Sequence, residues 1–110
     1  MTYEEAREVC RHRNGRLPVF NSKAEESIAR YQSMEGVPSL SWEEGAWLDL
    51  MPSNDTKKFL SVRDSRALTY TNWEPGQPDN AGQNCVTFFS QGRGWHDIGC
   101  SDKSYVVCQF

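Results

Sequence analysis

The chain has 110 residues, of which 37% are hydrophobic and 12% aromatic, including four Trp, and it carries a net charge of −3. That is enough for one domain with a modest core resting on a few large side chains. The negative balance offers no broad basic field to nucleic acid, and no apolar stretch resembles a membrane span or a signal peptide, so direct membrane insertion is not expected.

The first predicted element is a helix opened by a capping box, Thr2-Tyr3-Glu4-Glu5. Thr2 accepts from the first turn and Glu5 reaches back. Ala6, Val9, Cys10 and Arg13 follow at helical spacing, and Asn14-Gly15 supplies a left-handed stop. The basic run Arg11 to Arg16 falls at the end of this helix, where positive charge complements the helix dipole. It is read that way rather than as a heparin-type patch. Leu17 to Phe20 is a short extended link, and Ser22-Lys23-Ala24-Glu25 is a second capping box. It opens a helix through Ile28, Ala29 and Tyr31 that ends by Gly36-Val37-Pro38.

Beyond this point the period changes. Ala46 to Leu50 and Phe59 to Val62 read as strands around a Pro52-Ser53-Asn54-Asp55 turn. Residues 63–84 form a long stretch rich in Pro, Gly, Asn and Asp, and a long irregular loop in a small domain points to function. Cys85 to Phe89, Gly94 to Ile98 and Tyr105 to Phe110 complete a β-rich second half. Two helices followed by an antiparallel sheet with a long inserted loop define an α+β class, with residues 1–110 as one domain.

The four cysteines, Cys10, Cys85, Cys100 and Cys108, lack the close spacing of structural zinc ligands and point to two disulfides in an oxidising compartment. Three connectivities are open. The preferred one joins Cys85 to Cys100, stapling a short β excursion, and Cys10 to Cys108, tying the first helix to the last strand. Asn54-Asp55-Thr56 is a glycosylation sequon consistent with export. An exported domain without its own signal is expected to be cut from a larger precursor or to be a fragment.

These features together resemble the C-type lectin-like domain family across essentially the whole chain. The resemblance rests on the first helix through Cys10, on Trp47-Leu48-Asp49-Leu50, and on Leu68 to Trp73 leading into the loop. It rests also on Gln77-Pro78-Asp79, a galactose-type sugar motif, on Trp95-His96-Asp97 where calcium-binding members carry Trp-Asn-Asp, and on the closing cysteines. It implies the disulfide pairing preferred above and a cis peptide before Pro78. The family usually has a strand before the first helix, paired with the last one. The chain starts at the helix, so residues 105–110 are expected to expose an edge or to pair with another segment or chain. Asp49 stands where the family usually has Gly.

The resemblance also implies a ligand set. Gln77, Asp79 and Asp97 carry over as oxygen ligands of a calcium ion that would hold two sugar hydroxyls. Gln83 occupies the position of a Glu, or that position is deleted, and His96 replaces an Asn, although an imidazole is a poor ligand for a hard cation. Asn80 and Asn84 replace acids of the auxiliary calcium site, and Asn80-Ala81-Gly82 supplies no stacking Trp. His96 with Asp97 and Asp79 could suit a transition metal; the alternative is a histidine hydrogen-bonded at the surface. Trp73 and Trp95 read as core. Trp42 is either an exposed contact residue or a Trp folded over the core edge.

No activated nucleophile with a positioned base can be found, so an enzyme is not expected. Two functions remain, both extracellular, secreted or on the ectodomain of a membrane protein. The favoured one is a recognition module that binds a protein or glycan through the 73–97 region, with calcium dependence weakened or lost. The alternative is a calcium-dependent lectin for galactose or N-acetylgalactosamine.

Overall fold

A computed structural model describes residues 1–33, 45–53, 59–77, 84–89 and 94–110. Helix α1 spans Tyr3–His12 and α2 spans Lys23–Ser33; the strands are β1 Gly45–Trp47, β2 Leu50–Pro52, β3 Phe59–Ser61, β4 Cys85–Phe89 and β5 His96–Ile98. The expected α+β layout is present, with one antiparallel sheet in the order β1-β4-β5 and a two-stranded ribbon β2-β3. The sites at Trp42, Asn54, Pro78, Asp79, Asn80 and Gln83 lie outside the described residues.

Both helix starts follow from local chemistry. Thr2 Oγ1 accepts from Glu5 N–H at 3.4 Å, and Glu5 Oε1 accepts from Thr2 N–H at 2.9 Å. At α2 the Glu25 N–H donates to Ser22 Oγ at 3.2 Å, but Glu25 Oε2 accepts from Asn21, one residue earlier than a standard box. The end of α1 is a Schellman motif. Gly15 N–H donates to Cys10 O at 2.9 Å and Asn14 N–H to Arg11 O at 3.1 Å, with Asn14 at φ 61°. Asn14 therefore takes the left-handed position. Gly15 fits a close approach, because a Cβ there would stand 3.0 Å from Gln109 O and would push aside the exposed Phe110 ring, 2.7 Å away.

Strand β4 is central and all five of its residues are buried, because its neighbours β1 and β5 flank it while both faces of the sheet are covered. Alternation sorts side chains to the two faces. Ala46, Leu48, Val86 and Phe88 join one core cluster with Val19, Phe20, Ala29, Leu50, Phe59 and Trp95. Trp47 and Cys85 join the other with Tyr3, Ala6, Cys10 and Leu17. The sheet thus separates α1 from α2. Cys10–Cys108 and Cys85–Cys100 are bonded as expected, and all four sulfurs belong to or pack on the α1-side cluster.

Two strand expectations are corrected. The run Ala46 to Leu50 divides between two sheets. Leu48 N–H still donates to Val86 O at 2.9 Å, whereas Asp49 N–H turns to Pro18 O at 2.9 Å, so the backbone changes partners between β1 and β2. Residues 105–110 are not a continuous strand. They make two isolated bridges within the chain, Ala46 with Tyr105 and Arg16 with Gln109. Gln109 and Arg16 exchange both backbone bonds, at 2.7 and 3.0 Å.

Asp49 acquires a structural role. It is 6% exposed, and its Oδ1 accepts from Tyr3 OH at 2.7 Å, joining α1 to the β1–β2 junction. Burial, then the hydrogen bond to Asp49, raises the Tyr3 hydroxyl well above the ordinary phenol range.

Candidate functional site

The start of the long loop is built on a turn that its sequence dictates. Glu74-Pro75-Gly76-Gln77 closes with Gln77 N–H donating to Glu74 O at 2.9 Å. Pro75 suits the second position of a type II turn, and Gly76, at φ 87°, the third. Immediately before it, Trp73 bridges to Trp95 in parallel, with Trp95 N–H donating to Asn72 O at 2.6 Å and Glu74 N–H to Trp95 O at 3.1 Å. Gly94 N–H donates to Glu74 Oε2 at 2.6 Å. A Cβ on Gly94 would lie 2.3 Å from Glu74 N, so only glycine lets the two backbones meet. The start of the loop, through Gln77, is thereby held beside the strand that carries His96 and Asp97.

Beneath this junction lies an aromatic cluster. Trp95 stands edge-on to Trp73 at 5.4 Å and to Tyr70 at 5.8 Å between ring centroids, while Phe59 leans on Trp73 at 5.5 Å. Trp95 is 1% exposed and Trp73 partly buried against the same core, so both are packing residues, as their sequence positions imply.

Sequence reasoning missed Glu26. This α2 carboxylate is 1% exposed; Oε1 accepts from Trp95 Nε1 at 2.6 Å and Oε2 from Asn72 Nδ2 at 3.0 Å. One side chain therefore fixes both partners of the loop–strand junction to α2. A signal was present, since Glu26 lies three residues before buried Ala29, on the face that helical spacing sends to the core.

On the strand itself, β5 pairs antiparallel with β4, His96 opposite Thr87 and Asp97 opposite Val86. The His96 ring stands edge-on to Phe89 at 5.1 Å, a diagonal contact on one face of the pair. Asp97 is 3% exposed and Asn84 is exposed. His96 is partly buried, not a surface histidine satisfied by hydrogen bonds. Its Nε2, together with Gln77 Oε1, is a buried polar atom with no hydrogen-bond partner. Such atoms are rare and call for an explanation.

Of the expected ligands, Gln77, Asp97 and His96 are described. Calcium takes six to eight oxygens, and an amide, a carboxylate and an imidazole do not by themselves make that shell. Among the described residues, no group of three His, Cys, Asp or Glu converges on a metal position.

The family model described as "Lectin C-type domain" matches residues 1–110. The chain belongs to the C-type lectin domain family. It is 29% identical over 112 residues to pulmonary surfactant-associated protein D of Bos taurus, covering 99% of this chain and 28% of that protein. The chain thus spans under a third of that relative's length. Among solved structures, the C-type lectin domain of murine dendritic cell inhibitory receptor 2, in complex with N-glycan, superposes with a TM-score of 0.80 at 25% identity, covering 99% of this chain and 81% of that one. The cow CD23 carbohydrate-recognition domain, determined in the presence of a GlcNAc2Man3 oligosaccharide, does so at 0.76 and 29% identity, with 98% and 78% coverage.

Proposed function

We propose that this domain is a non-enzymatic extracellular recognition module that binds a glycan or protein ligand through the 73–97 region, with calcium dependence weakened or lost. The carrying observation is the partnerless pair of buried atoms, Gln77 Oε1 and His96 Nε2, on the two segments that the Trp73–Trp95 bridge holds together. Both atoms are buried, so a ligand hydroxyl or amide answers them by displacing what covers them, and it needs no cation to do so. Asp79 and Asp97 would add acceptors for the same ligand, and Asn80 and Trp42 are its candidate flanking contacts. The oligosaccharide and N-glycan in the CD23 and dendritic cell receptor structures support a glycan among the ligands. On this reading Asn54 carries a glycan, and export agrees with the two disulfides.

Thermal melting with millimolar calcium and with a chelator tests the reading. The expected result is no difference. A melting point that climbs with calcium concentration would overturn it by linkage, because a ligand that binds only the folded state stabilises it.

The second reading, a calcium-dependent lectin for galactose or N-acetylgalactosamine, is favoured by the unpartnered side-chain oxygen of Gln77, buried as it is, within Gln77-Pro78-Asp79. It requires retention on a galactose resin and release by chelator. On that reading His96→Asn strengthens the calcium response, because an oxygen replaces nitrogen beside Asp97.

A further inference from the structure

A second site lies among residues that take no part in the loop. A cavity of about 470 Å³ is lined by Arg7 and Arg11 of α1, by Arg16 and by Arg63, with Glu8 and Asp49 as its acids. Arg7 and Arg11 share a helix face by their spacing of four; Arg16 follows the Schellman turn, and Arg63 follows β3. Four guanidiniums thus face two carboxylates. Glu8 is engaged with Arg11 at 2.7 Å, and Asp49 accepts from Tyr3 OH.

Arg16 and Arg63 have no ion-pair partner among the described residues. Among the described residues, Arg63 is anchored through Nη2 alone, to Leu17 O at 3.0 Å and to Gln109 Oε1. A guanidinium carries five N–H donors, so most of the Arg63 fork stays available. Burial, then repulsion from Arg16, lowers the Arg63 pKa, although the guanidinium stays charged. Arg16 and Arg63 repel one another at a cavity that also carries Asp49, whose charge attracts Arg63. With four guanidiniums against two carboxylates, the lining keeps a positive excess that an oxyanion completes. Arginine forks match the oxygens of sulfate and phosphate esters two at a time. The volume exceeds that of an inorganic ion and lies in the range of small-ligand pockets.

We infer that this cavity binds a sulfate or phosphate ester carried on a saccharide-sized ligand, with Arg16 and Arg63 clamping the oxyanion and Arg7 and Arg11 at its rim. The inference is independent of the reading of the 73–97 region.

The probes are glucose 6-sulfate, glucose 6-phosphate and glucose, titrated at fixed ionic strength and followed by backbone amide chemical shifts. Saturable shifts confined to residues 7–17, 49 and 63 with either ester, and none with glucose, are expected; the stronger ester identifies the preferred anion. Arg16→Gln should weaken binding by about tenfold or more, the loss of one charge-assisted contact. It leaves the anchoring bonds of Arg63 intact, so its fold is retained even if Arg63→Gln proves unstable. Gln77→Ala should leave ester binding unchanged. No saturable shift with either ester would overturn the inference. So would shifts that glucose reproduces, or ester affinity unaltered in Arg16→Gln.

Discussion

Removing the Glu26 carboxylate should release the loop junction from α2. In Glu26→Ala, Trp95 Nε1–H and Asn72 Nδ2–H both lose the acceptors that hold them at 2.6 and 3.0 Å. Stranding a buried donor costs about 1–3 kcal/mol, which applies in full to Trp95 and only in part to the half-buried Asn72, so the loss is roughly 2–4 kcal/mol before lost packing is counted. Glu26→Gln is milder. Its amide oxygen still accepts from Trp95, and a turned-over Asn72 amide can accept from its NH₂ group, so the loss falls to about 1–2 kcal/mol as charge-assisted bonds become neutral ones. Guanidinium unfolding followed by tryptophan fluorescence and by far-ultraviolet circular dichroism measures both. A midpoint shift at unchanged m reports stability alone. If Glu26→Ala falls within about 0.5 kcal/mol of the parent, the carboxylate does not hold the junction.

Gly94→Ala should destabilise by about 3 kcal/mol or more, because its Cβ would meet backbone atoms of residues 73 and 74 at 2.3–2.6 Å; a thermal melt within a degree of the parent would refute the close approach. Tyr3→Phe should cost about 1.5–3 kcal/mol at neutral pH by leaving Asp49 without this donor, read from the denaturation midpoint. The same variant should flatten the alkaline limb of stability. The Tyr3 pKa is raised in the fold, so its contribution is complete below the unfolded value near pH 10 and declines as pH rises above it. Parent and variant curves of equal slope above pH 10 would contradict this.

What could be read from the chain was what neighbours in sequence decide. The Thr2–Glu5 box and the Asn14 stop each fix a conformation with residues at most five apart. The order of motifs was enough to place the family and both disulfides. The misreadings fall where a distant partner decides. Nothing in Ala46 to Leu50 announces that Leu48 bonds to Val86 and Asp49 to Pro18, so one apolar run reads as one strand. Likewise the bridging of Tyr105 and Gln109 to separate segments is invisible in their own alternation. At the proposed site, Gln77, His96 and Asp97 were named from sequence motifs, whereas the lack of a partner for His96 Nε2, and the role of Glu26, which turns on a Trp 69 residues away, show only in the packed fold.

The two faces of the sheet are closed by different means. Both disulfides belong to the α1 side, while α2, Trp73 and Trp95 are held on the other by packing and hydrogen bonds. Cooperative openings of the domain should therefore be one-sided. Amide hydrogens in α2 and residues 68–77 would exchange through partial unfolding that leaves α1 and its staples in place. The face proposed here for recognition could then drift in sequence, or loosen, while a covalently pinned half keeps the chain folded.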